Sequence, residues 1–68
     1  MTDAQFAALR ATMPWSERVV KTNVGALVQV VNAQGYEVPM FDMTRFLTMI
    51  TLKIASGSLQ EKDAVKAP

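Results

Sequence analysis

Apolar residues recur at helical spacing in three stretches of the chain. In the first, Phe6, Leu9 and Met13 share one face at steps of three and four, and Ala4, Ala7, Ala8 and Ala11 add helix propensity. Thr2 and Gln5 have the form of a capping box, and Met1 is placed to pack on Phe6. A helix is therefore expected over 3–13, broken by Pro14. In the second stretch, ~100° per residue puts Val20, Val24, Leu27 and Val31 on one stripe. Val28 lies on one flank of it, and Val19, Ala26, Val30 and Ala33 on the other. Ser16 reads as an N-cap, Trp15 as the residue that packs on Val20, and Gly35 as a left-handed stop with Tyr36 against Val31, giving a helix over 17–34. In the third, Met43, Phe46, Leu47, Ile50 and Ile54 share a face over 43–56. Asp42 is the cap there, Phe41 and Phe46 the hydrophobic staple, and Gly57 the stop.

The valines pull the other way. Val19, Val20, Val24, Val28, Val30 and Val31 are β-branched, and 28–31 alone would suit a short strand. Length decides for the helix, because a proline-free run over 17–34 exceeds a normal strand and the 20, 24, 27, 31 spacing is not alternating. A strand at 36–40 has nothing to pair with on this reading. The expected fold is all-α: a small three-helix bundle forming a single domain over 1–57, with a marginal short helix or mobile tail over 58–68. Ser58 and Glu61 have the form of one more capping box, and Ala67 and Pro68 are expected to fray.

This bundle would own more apolar surface than it can cover. The apolar arc of 17–34 spans roughly 200°, about twice what a helix facing one neighbour needs. Met49 and Leu52 fall outside the core face of 43–56, on a stripe shared with Arg45. The link over 35–41 carries Tyr36, Val38, Met40 and Phe41, which either close the open end of the bundle or face a partner. Gly25 costs ~1 kcal/mol relative to alanine within a helix, an expense offset if another backbone docks there. The expected protein interface is Arg45, Met49, Leu52, Val19, Ala26, Val30, Tyr36 and Met40. Methionines at 40, 43 and 49 suit a surface that repacks against its target.

Composition narrows the chemistry. At 68 residues the chain is one domain near the lower limit for an unaided core, and it has no cysteine and no histidine. Disulfides are excluded, a zinc site is not expected, and no cofactor is implied. Acid–base work would fall to Asp3, Glu17, Glu37, Asp42, Glu61 or Asp63, which lack paired spacing, or to Tyr36, a lysine or a serine. Gly25, Gly35 and Gly57 are too far apart for a phosphate loop. The chain is thus read as no enzyme, with no small-molecule substrate. Seven basic and six acidic residues, net +1, give no positive footprint for nucleic acid. A helix-turn-helix regulator is the alternative. Against it stand the long 35–41 link and a third helix whose only basic residues are Arg45 and Lys53. The nearly apolar stretches 24–31 and 46–54 are short of the ~20 residues a membrane span needs. Asp3, with no basic run before an apolar one, argues against a signal peptide, so a cytoplasmic location is expected.

The segment LVQVVNAQGYEV over 27–38 resembles the helix-glycine-aromatic turn of some leader peptides of ribosomally made, enzyme-modified natural products. The resemblance implies recognition by a modifying enzyme. The chain departs from such leaders in its near-neutral charge and in its final segment SLQEKDAVKAP, which has one serine and no cysteine or threonine to modify. The leading expectation is a non-enzymatic helical interaction module: an adaptor, an inhibitor or a small self-associating subunit that binds protein or a second copy of itself.

Overall fold

The computed structural model describes residues 1–66. Helix α1 (Asp3–Arg10) is followed by strands β1 (Ser16–Thr22) and β2 (Gly25–Val31), helix α2 (Met40–Ala55) and a 3-10 turn at Glu61–Asp63. The fold is mixed, two helices and a two-stranded antiparallel sheet, and the expected all-α three-helix bundle is wrong. The fraying expected of Ala67 and Pro68 lies outside the described residues. Among those described, no helix is long and apolar enough to cross a membrane.

The error sits at 17–34, where a hairpin replaces the helix. A proline-free window of that length holds two seven-residue strands and a short turn as readily as one long helix. Six valines lose χ1 freedom in a helix but pack well on a pleated ribbon. Pairing runs from Ser16 opposite Val31 to Thr22 opposite Gly25, leaving Asn23 and Val24 as the turn. No non-glycine residue among those described has positive φ, so the turn is not of the primed type that matches strand twist. Gly25 takes up the difference at φ 134°. The Thr22 hydroxyl ties the turn by donating to the Gly25 carbonyl at 2.8 Å.

Gly35 is a turn residue here, not a helix stop. The Asn32 side-chain oxygen accepts from the amides of Gln34 and Tyr36 at 3.0 and 3.1 Å, and Gly35 at φ 86° completes the reversal. Val31 then bridges to Glu37, with the Val38 N–H donating to the Val30 carbonyl at 2.7 Å. The segment denied a strand for want of a partner therefore finds one on the free edge of β2.

Both helices follow local rules, with shifted ends. The Thr2–Gln5 capping box forms, Gln5 N–H to the Thr2 hydroxyl at 3.1 Å and Thr2 N–H to the Gln5 side chain at 2.9 Å, but α1 stops at Arg10 rather than residue 13. Helix α2 begins at Met40 with Pro39 as N-cap, so Asp42 is an acidic residue of the first turn rather than the cap. It ends as a Schellman motif at Gly57, with Gly57 N–H donating to Ile54 and Ser58 N–H to Lys53. The Ser58–Glu61 box does not form: the Ser58 hydroxyl turns back to the Lys53 carbonyl, and the last turn is capped at Gln60. That turn is held to the body by buried Ala64 and by Arg10, whose guanidinium donates to the Asp63 and Lys66 carbonyls.

Phe46 is the fully buried centre of the core. Phe6 stacks on it at 4.6 Å between ring centroids, Trp15 tilts against it at 5.2 Å, and Met13, Ile50 and Ala64 complete the buried set. The indole N–H donates to the Thr12 hydroxyl at 2.9 Å, which donates to the Leu9 carbonyl. Lys53 lies 5.1 Å over the Phe6 ring and pairs with Asp3 at 3.0 Å.

Two outcomes follow for stability. Phe46→Ala should cost about 3–5 kcal/mol, enough to unfold a domain of this size, as read by urea titration of Trp15 fluorescence. Gly25→Ala separates hairpin from helix by sign: a helix would gain ~1 kcal/mol, whereas a residue at positive φ should lose ~1 kcal/mol or more, lowering Tm by circular dichroism.

Candidate functional site

The register sorts the hairpin into two faces. Glu17 and Val30, Val19 and Val28, and Lys21 and Ala26 are opposite pairs on one face; Ser16 and Val31, Arg18 and Gln29, and Val20 and Leu27 make up the other. Val19, Ala26 and Val30, expected on one flank of a helix, thus share one face of a ribbon. Val19 and Val28 are directly opposed and remain 65% and 64% exposed. On the reverse face Leu27 is 53% exposed, and at the tip Val24 is 95% exposed. Arg18 spans that reverse face, donating to the Gln29 side-chain oxygen at 2.9 Å.

At its root the first face runs into an apolar cleft of about 350 Å³. Val30 forms one wall, Pro14 and Trp15 the corner, Met43 and Leu47 of α2 the opposite wall, and Val65 the rim. Leu47 was expected in the core, but α2 is rotated so that Leu47 is exposed while Met49 packs half-buried against the core cluster.

Arg45, Met49 and Leu52 do come together, lining a shallower cleft of about 230 Å³ with Met1, Thr44 and Thr48. Its chemistry is already partly used: Arg45 donates to Gln5 at 3.2 Å and stands 5.0 Å from the Phe41 ring. Leu52 is exposed there. Tyr36 and Met40 are exposed on the link and at the start of α2, and neither lines either cleft. The eight expected interface residues therefore divide into a ribbon face, a stripe on α2 and two isolated side chains.

A third hollow, lined by Arg10, Lys62, Asp63 and Lys66, is polar, but its guanidinium is engaged with backbone carbonyls. Among the described residues no three Asp or Glu side chains gather as metal ligands would. Missed from sequence were Val24, Leu27 and Val28 as exposed groups, and Pro14, Trp15 and Leu47 as cleft walls. The signal for the first three was present: Asn23 and Gly25 stand between two β-branched runs, a turn between strands. The chain matches no protein-family model, no curated protein and no solved structure.

Proposed function

We propose that this chain is a small non-enzymatic protein-binding module, an adaptor, inhibitor or small subunit, that docks through the 16–31 hairpin and the cleft at its root. The observation that carries this is the exposed Val19–Val28 pair, continuous through Val30 with an apolar cleft. A two-stranded ribbon is marginal alone, and apolar residues on both its faces are stabilised when a further element covers them. The non-catalytic part rests on a chain with neither histidine nor cysteine. A cytoplasmic setting belongs to the same reading, since a cysteine-free chain suits a reducing compartment.

The alternatives lose their footing. The helix-turn-helix reading needs a helix where β1 and β2 stand, and the leader-like reading needs one in 27–38, which is strand and turn. Seven basic residues against six acidic also leave nucleic acid without an electrostatic argument.

A photoreactive benzoylphenylalanine in place of Val28, expressed in the source cells, should give covalent protein adducts of higher mass on irradiation. The same group at exposed Ala8 on α1 should give background only. Equal yields at the two positions would overturn the reading.

A further inference from the structure

The outer edge of β1 carries a pattern that a second β1 satisfies. The Val38 N–H donates to the Val30 carbonyl and the Asn32 N–H to the Tyr36 carbonyl, so residues 30 and 32 turn their backbone groups away from β1. Backbone groups alternate sides along a strand, so Val31, Gln29 and Leu27 are the residues bonded to β1, through Ser16, Arg18 and Val20. Glu17, Val19 and Lys21 are left with N–H and C=O pointing outward. Among the described residues nothing bonds to them. Such an edge is a template for another strand unless its charges forbid pairing.

Here the charges favour one pairing. A two-fold axis normal to the sheet makes some residue of β1 face its own copy. With Arg18 at the axis, two guanidinium groups meet. With Val20 there, Lys21 faces Val19 and Glu17 runs past the end of the copy's strand, so neither charge is met; Arg18 faces Val20 in the register through Val19, its guanidinium held on Gln29. With Val19 there, Glu17 faces Lys21 of the second copy and Lys21 faces its Glu17, and all three outward residues fall into hydrogen-bonded pairs. That register also lines up Val28, Val19 and their copies in one row across four strands, and three or more strands with an apolar face are what independent stability needs.

We propose that β1 pairs antiparallel with β1 of a second copy of this chain about a two-fold axis through Val19, with a Glu17–Lys21 ion pair on each side of the axis. This rests on the protein-binding reading above and takes a second copy as the partner, joined at the edge of the ribbon so that the Val19–Val28 face is widened rather than covered. Within one protomer Glu17 faces Val30 and Lys21 faces Ala26, so reversing either charge breaks no ion pair among the described residues.

Sedimentation equilibrium of the full chain should show a monomer–dimer equilibrium. Glu17→Lys or Lys21→Glu alone sets like charges opposite one another twice and should raise Kd about tenfold, while the double reversal should return it to within about threefold of the parent. Val19→Cys should oxidise to a covalent dimer, with Val24→Cys at the tip giving collisional background only. A chain monomeric into the millimolar range, a Kd indifferent to the single reversals, or no cross-link at position 19 would overturn the pairing. Photo-adducts at position 28 in that event would keep the protein-binding reading with a foreign partner; their absence would remove both.

Discussion

The packing of Phe6 and Trp15 against Phe46 is the contact on which the rest of the molecule depends. It joins three pieces of chain: α1 supplies Phe6, α2 supplies Phe46, and the corner after α1 supplies Trp15. A chain this short has few apolar groups to bury, and aromatic rings bury the most area for each residue ordered. Trp15 immediately precedes β1, and the Ala33 N–H beyond β2 donates to the Thr12 carbonyl at 2.9 Å. Both roots of the hairpin are thereby tied to the same corner. The aromatic cluster fixes where the ribbon leaves the body and which face it turns toward the cleft.

Beyond that root the balance of forces changes. The body is held by apolar burial, whereas the outer part of the ribbon is held by its own ladder of hydrogen bonds and by side-chain pairs that stay wet. Net hydrogen-bond contributions are modest in water, about 1 kcal/mol each. Val19, Val28 and Leu27 therefore contribute less to the protomer than their size allows. Val19 and Val28 share a face and would contribute fully once a second surface excludes water from it, while Leu27 lies on the reverse face.

What the sequence disclosed was local. The Thr2–Gln5 box, the Gly57 stop and the placing of Phe6, Met13, Phe46 and Ile50 inside all depend on neighbours three or four residues apart, and all are found. The hairpin was hidden by a coincidence of spacing: Val20, Val24, Leu27 and Val31 fit a helical stripe although the turn at Asn23 and Val24 separates the first from the others by a change of strand. Periodicity alone could not weigh six β-branched residues against four well-spaced ones. Asp42 reads as a cap from its side chain, but the helix begins earlier, at Met40 after an extended Pro39, and Asp42 falls within its first turn. At the candidate site, Val19, Ala26 and Val30, expected on one flank of a helix, share one face of a ribbon instead. Leu27, Val28 and Val24 were overlooked because a helix would have buried or dispersed them.

The placement of the aromatic cluster at one end of a molecule 45 × 21 × 19 Å has a dynamic consequence. Ladder bonds near Asn23 and Val24 can open in small excursions that leave Phe46 untouched, whereas water reaches Phe46 only when the whole chain comes apart. The exposed ribbon and the buried aromatic cluster are therefore expected to open at different free energies, the ribbon first. A partner of the kind proposed would have to quench the ribbon's excursions, and the entropy surrendered there would limit how tightly so small a protein holds it.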